Sequence, residues 1–261
     1  DGLGQLDEQI FCERGELELE NGDIIRDHSP YDMLTFAQVI ERSSNIGTIK
    51  IARRLTRKRF YEFIRNFGFG TRSGIELPAE SAGILQHVGK WSDRSLETIA
   101  IGQEIGVTGL QLAQAYGAVA NGGNLMAPQI LRSILDADGS VVERVQPRRI
   151  RQAISKQTAA RVKAMLSAVV SRGTGRRAAI EGIQVAGKTG TAQQAAADGA
   201  GYDPDRMVAS FIGFAPAENP QFLCLIAVTN PREESWGGTV AAPVFKRVIE
   251  RIIYQSDDHD L

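Results

Sequence analysis

This chain has few residues that could bind a metal or form a cross-link: two cysteines and three histidines among 261 residues. Cys12 and Cys224 lack the paired spacing of zinc ligands, and His28, His87 and His259 lie far apart without thiol or acidic partners at useful intervals. No metal site and no cofactor are therefore expected. Cys224 sits inside the apolar run FLCLIAVT and reads as a buried core thiol, with a disulfide to Cys12 left open. Net charge is equally scarce. Thirty basic residues against 31 acidic ones give −1, so no global field points to nucleic acid. Arg148, Arg149 and Arg151, like Arg176 and Arg177, read as solvated surface. No apolar run approaches the roughly 20 residues of a membrane-spanning helix. No signal peptide opens the chain, and DGLGQLDEQIFC reads as a cut into an element that starts upstream. Repeats and low-complexity segments are absent. So are the G-x-S-x-G elbow and any His-Asp-Ser constellation of the common hydrolases.

What is present reads as globular, with 43% hydrophobic and 23% charged residues and length enough for a real core. Residues 1–30 are polar and turn-rich, with Asn21-Gly22 as a hairpin signal. From Thr35, the spacing of Phe36, Val39 and Ile40 predicts a helix. It breaks at Ser43-Ser44-Asn45 and resumes through Ile46, Ile49 and Leu55. RKRFYEFIRNF predicts another helix, stopped by Gly68 and Gly70, and TRSGIELPAESAGIL predicts loop. Thr108 and Gln111 spell a capping box ahead of Leu112, Tyr116 and Val119, and that helix should end at Asn121-Gly122-Gly123. ILRSIL and VVERV flank Asp138-Gly139 as a hairpin, and Val162, Met165, Leu166, Val169 and Val170 repeat at helical spacing up to Gly173. Three extended stretches follow: IQVAGKTGTAQ, MVASFIGFAP and FLCLIAVTN. The short link Ala217-Glu218-Asn219-Pro220 requires antiparallel pairing of the last two. A closing helix from Pro243 carries Val244, Phe245, Val248, Ile249, Ile252 and Ile253 on one face, a stripe suited to covering a sheet.

Two chemistries compete for the lysine in VAGKTGTAQ. From Gly182 to Thr189 the letters match a phosphate-binding G-x-x-x-x-G-K-[ST] loop. Such a loop must leave its backbone N–H groups free to curl around phosphates. Ile183, Gln184, Val185 and Ala186 instead suit a strand, no apolar helix stripe follows, and the best companion strand ends in Thr229-Asn230 rather than in an acid for Mg²⁺.

The other reading is a Lys-Thr-Gly strand lining an acyl-transfer site. A serine becomes a nucleophile when a lysine takes its proton, and a second lysine nearby can hold that base's pKa down and anchor a carboxylate. Lys188 suits the second role. On an edge strand, Thr189 and Thr191 can offer hydroxyls to an anionic substrate end, and the Thr191 N–H can face an oxyanion. Gly190 leaves room for a ligand along the strand. Ser43 and Asn45 could add a proton-relaying hydroxyl and an amide that both donates and accepts. Taken as tripeptides alone, these motifs read equally well as helix caps and a solvated strand lysine.

The wider wording narrows the choice. VIERSSNIGTIKIA, FGFGTRSGIELPAESAGIL, IGQEIGVTGLQLAQAYGAVANGG, GTGRRAAIEGIQVAGKTGTAQ, MVASFIGFAPAENP and GGTVAAPVFKRVIERI occur in this order. The chain resembles the transpeptidase domain of monofunctional, class B penicillin-binding proteins, especially the division type. The resemblance implies an α/β (α+β) fold, with a mainly antiparallel sheet covered by helices beside an all-helical half, in one domain over residues 1–261. It also implies an extracytoplasmic, membrane-anchored D,D-transpeptidase acting on peptidoglycan stem peptides, acylated by β-lactams and working beside divisome proteins. Ser43 would join the proton relay, Asn45 would hold the substrate amide, and Lys188 would support proton transfer and the carboxylate site. Thr189, Gly190 and Thr191 would contact the ligand. A carboxypeptidase, a β-lactam sensor or a silent scaffold would share much of this wording. One departure matters: no serine in the chain has a lysine three positions on. The nucleophile and its base are therefore expected in an N-terminal segment upstream of Asp1, and this chain alone is expected to be inactive.

Overall fold

The structure, a computed structural model, describes residues 2–196, 201–232 and 234–257. Four short strands open it: β1 (Gln9–Phe11), β2 (Glu16–Glu18), β3 (Ile24–Arg26) and β4 (Met33–Thr35). β1 pairs with β4, and β2 with β3 around the Asn21-Gly22 turn, both antiparallel. Helix α1 (Phe36–Arg42) begins at Thr35. The Gln38 N–H donates to the Thr35 hydroxyl at 3.1 Å, and the Thr35 N–H donates to the Gln38 side chain at 2.9 Å. This exchange satisfies two N–H groups that have no helical acceptor. α1 closes on Ser43 in the left-handed conformation, with φ 58° and ψ 44°.

Ser44 then caps α2 (Asn45–Ala52), its hydroxyl accepting from the Gly47 N–H at 2.9 Å. Two helices therefore flank Ser43-Ser44-Asn45 as expected, although the second stops at Ala52 and leaves Leu55 outside. α3 (Arg57–Asn66) ends ahead of Gly68 and Gly70, both with positive φ. A short α4 (Ser95–Ala100), too brief to show periodicity, precedes α5 (Gly109–Ala120), which opens with the Thr108–Gln111 capping box read from sequence.

β5 (Asn124–Met126), β6 (Ser133–Leu135), β7 (Val141–Arg144) and β8 (Arg149–Gln152) form nested antiparallel pairs, β6 with β7 and β5 with β8. α6 (Lys156–Ser171) leads into the main sheet, built from β9 (Ala186–Ala195), β10 (Tyr202–Ala215) and β11 (Phe222–Thr229) in the order β11-β10-β9, all antiparallel. α7 (Gly237–Val240) and α8 (Ala242–Asp257) complete the chain.

Side chains alternate across the sheet. Phe211 faces α8, where its ring lies 4.8 Å from that of Phe245 in a core shared with Val170, Ala178 and Ile249. Ala186, Phe214 and Leu223 join the opposite core, with Val119 of α5 and Leu166 of α6. The sheet is thus helix-covered on both faces. The stripe on α8 is narrower than expected: Phe245 and Ile249 are fully buried, whereas Val244 and Ile252 are 40% and 36% exposed at its margins. Both cysteines are free. Cys12 packs with Ile10, Val39 and Ile46, while Cys224 packs against the α8 core, so the disulfide left open by the sequence is not formed.

Phe245→Ala should lower unfolding stability by about 3–5 kcal/mol, the usual range for emptying a buried aromatic site. The check is the denaturant midpoint at unchanged slope.

Candidate active site

β9 is an edge: β10 pairs with it on one side, and no strand pairs on the other among the described residues. Lys188 and Thr189 lie inside this ladder, opposite Ile212 and Phe211. Their backbone therefore runs as strand and does not wrap an anion, which removes the phosphate-cradle geometry.

The Lys188 ammonium donates to Ser43 Oγ at 2.8 Å and to the Thr189 carbonyl at 3.0 Å. α1 packs on α6 and α6 packs on β9, and this stack carries Ser43 to the strand. Burial pushes the Lys188 pKa down from its ordinary value to about 8, since its two acceptors are neutral oxygens and no carboxylate pairs with it among the described residues.

Asn45 opens α2 and donates through Nδ2 to the Arg26 carbonyl at 2.9 Å. The residue between them, Ser44, is 1% exposed and was not singled out by the motif. Its hydroxyl donates to Asp27 Oδ2 at 2.6 Å, and Asp27 Oδ1 accepts the Ile46 N–H at 3.1 Å. Asp27 thereby fixes the junction that holds Ser43 and Asn45 on either side of Ser44. A carboxylate at a helix N-terminus also meets the positive end of the helix dipole.

On the strand, Thr189 Oγ1 lies 2.9 Å from Thr174 Oγ1, and Thr191 Oγ1 accepts the Gly237 N–H at 3.1 Å. A side chain at Gly190 would place Cβ 2.5 Å from Ser210 Oγ, so the missing side chain serves cross-strand packing as well as open space. Thr174 belongs to the Gly173–Gly175 turn after α6, which bonds back to α1 through the Thr174 N–H and the Glu41 carbonyl at 3.4 Å. Beside Asp27 and Gly237 in the chain, the His28 and Trp236 rings lie 4.2 Å apart, tilted by 50°. His87 caps a short turn at residues 88–90, and His259 lies outside the described residues.

A lysine on an unpaired strand edge, bonded to a helix-borne serine and flanked by threonine hydroxyls, is an arrangement whose groups suit one wall of a serine-type acyl-transfer cleft. The family model for the penicillin binding protein transpeptidase domain matches residues 1–250, and the chain belongs to that family. It is 42% identical over 224 residues to penicillin-binding protein PbpB of Mycolicibacterium smegmatis, covering 82% of this chain and 34% of that protein. It is 35% identical to stage V sporulation protein D of Bacillus subtilis over 242 residues, covering 92% of this chain and 37% of that one. The chain thus spans about a third of the length of these curated relatives. The crystal structure of penicillin binding protein 3 from Mycobacterium tuberculosis in complex with aztreonam superposes with a TM-score of 0.88 at 35% identity, covering 98% of this chain and 59% of that one. The same protein is also known in complex with ampicillin.

The depressed lysine pKa has a consequence for folding. Between pH 8 and 10.5 the unfolded chain holds a proton on Lys188 that the folded chain has released, so unfolding takes up protons and stability rises with pH. Denaturant midpoints across that window should climb in the wild type relative to Lys188→Met, and the two curves should run parallel if the ammonium is not buried.

Proposed function

We propose that this chain forms the Lys-Thr-Gly and Ser-x-Asn walls of a peptidoglycan D,D-transpeptidase, whose nucleophilic serine and base lysine come from protein outside the 261 residues. The observation that carries the reading is the 2.8 Å contact from Lys188 to Ser43, which joins the helical half to the sheet edge. In this reading the serine gives its proton to the base lysine as it adds to the carbonyl of a D-Ala-D-Ala stem peptide, and the ester forms as the peptide C–N bond breaks. Ser43 passes its proton to the leaving amine and is reprotonated by the Lys188 ammonium, from which it already accepts a hydrogen bond. The same ammonium and the Thr189 and Thr191 hydroxyls bind the substrate carboxylate. The Thr191 N–H contributes to the oxyanion site, Gly190 leaves space along the strand, and Asn45 holds the substrate amide. An amine from a second stem peptide then takes the acyl group.

β-Lactams acylate the same serine as substrate mimics, a reading supported by the aztreonam complex of the similar mycobacterial protein. The site works on the extracytoplasmic face of the membrane, beside other cell-wall and division proteins. In this reading the membrane anchor belongs to the longer protein; among the described residues no helix is long and apolar enough to cross a bilayer.

Labelled penicillin decides the matter. The longer protein should form a covalent adduct and this chain alone should not. A stable adduct on a serine of this chain would sink the assignment. Because Lys188 acts protonated, acylation should fall as pH rises through about 8, and this alkaline limb should vanish in Lys188→Arg even if the rate is lower throughout.

A further inference from the structure

Glu41 is a charged residue in an apolar position. It lies in α1 two residues before Ser43, on a helix packed against α6, and is 2% exposed. A buried carboxylate is stable only with partners, and packing alone would be served as well by an uncharged side chain of similar size. Its partner is Arg172, the residue after α6, whose Nε donates to Glu41 Oε2 at 2.7 Å. Arg42 Nε lies 3.6 Å from the other oxygen. Arg172 is itself 64% exposed, so the pair holds a surface turn against a buried anchor.

That turn leads directly to the cleft. Gly173 follows Arg172, and a Cβ there would fall 2.4 Å from the Glu41 carbonyl oxygen, so only glycine allows the approach. Thr174 comes next. Its N–H bonds to that same carbonyl at 3.4 Å, and its hydroxyl meets Thr189 at 2.9 Å. Its own carbonyl lies against α7, 2.5 Å from where a Cβ on Gly238 would sit. Glu41 thus grips the Thr174 turn twice, through its side chain and through its backbone, while Ser43 two residues on meets Lys188.

We infer that Glu41 is a positioning residue: through Arg172 it sets the Thr174 hydroxyl against Thr189, and so fixes the carboxylate-binding end of the cleft relative to the Ser43–Lys188 pair. This rests on the transpeptidase reading above. The two hydroxyls can both donate to an anionic ligand only if their oxygens keep their spacing as the mutual hydrogen bond is given up. A turn released from Glu41 loses that spacing, although every residue touching the ligand is still present.

The test is the second-order rate of acylation by penicillin in the longer protein, with amide hydrogen exchange as a readout independent of chemistry. Glu41→Gln and Arg172→Gln should each slow acylation about tenfold, less than the roughly hundredfold that a misplacement of about 1 Å can cost. The double variant should be no slower than either single one. In a Thr174→Val background, Glu41→Gln should have no further effect. Arg172→Lys should recover part of the rate, and the Gly173–Gly175 amides should exchange faster in Glu41→Gln with little change in thermal midpoint. Acylation of Glu41→Gln at the wild-type rate, or an undiminished tenfold loss in the Thr174→Val background, overturns the inference. If Glu41→Gln fails to fold, Arg172→Gln with Thr174→Val completes the same cycle. If even the wild type is not acylated, the transpeptidase reading fails, and exchange at Gly173–Gly175 alone decides whether Glu41 holds the turn.

Discussion

An ammonium can sit away from water only where oxygens replace its hydration shell. For Lys188 two oxygens are in place, the Thr189 carbonyl on its own strand and the Ser43 hydroxyl from 145 residues earlier in the chain. Much of the architecture follows from bringing the second oxygen to the first. α1 must end on a left-handed residue, so that Ser43 leaves the helix and turns toward the strand. The next helix must start at once, which is why Ser44 is spent on a cap and buried against Asp27. β9 remains at the edge, and with no further strand paired there among the described residues, that side keeps open the space the proposed function assigns to a ligand.

Holding a strand edge open while covering the sheet on both faces requires close backbone approach, and glycine supplies it at α7. A Cβ on Gly237 would lie 2.2 Å from the Ser210 carbonyl oxygen and 2.3 Å from that of Gly190, so α7 can rest on the sheet only without a side chain there. That contact brings the Gly237 N–H within 3.1 Å of the Thr191 hydroxyl. The strand carrying Lys188 is thus packed against α7 and α6, while α8 covers its neighbours β10 and β11. An edge with rigid neighbours keeps its hydroxyls and N–H groups aimed at a fixed point, which is how electrostatic stabilisation in an active site works.

The parts of this arrangement that were legible in the sequence are those written in local chemistry. Helix starts at Thr35 and Thr108, stops at Gly68 and Gly173, the Asp138-Gly139 turn and the antiparallel pairing of the last two strands all follow from a few neighbouring residues. Ser43 and Lys188 were legible separately as candidate site residues, and their direct contact at 2.8 Å is something only the fold shows. What escaped was long-range and polar. Asp27 looks like any acidic loop residue until its two oxygens are found on Ser44 and Ile46. Glu41 interrupts no visible pattern, because one charged residue on a short amphipathic helix is ordinarily solvated, and only the fold puts Arg172 beside it. Thr174 lay within a recognisable stretch of wording, yet its closeness to Thr189 depends on how α6 ends. The stripe on α8 was read too wide because helical spacing alone does not say how much of a face the sheet can cover.

One lysine satisfied two letter patterns, and the backbone separates them. A phosphate cradle is a property of N–H groups left unpaired by a loop, and its lysine only adds charge to a site the backbone has already made. In β9 the residues around Lys188 pair with β10 residue by residue, from Ala186 opposite Phe214 to Gln193 opposite Met207. The ladder claims the backbone on one side, and what is left for chemistry is the other edge and the side chains that alternate above and below it. A strand of this kind can line a cleft for an extended substrate but cannot enclose a phosphate. The strand also explains why the lysine is poised. Its ammonium points into the helical half, where burial lowers its pKa to about 8, whereas in an anion cradle a bound phosphate would hold it firmly protonated.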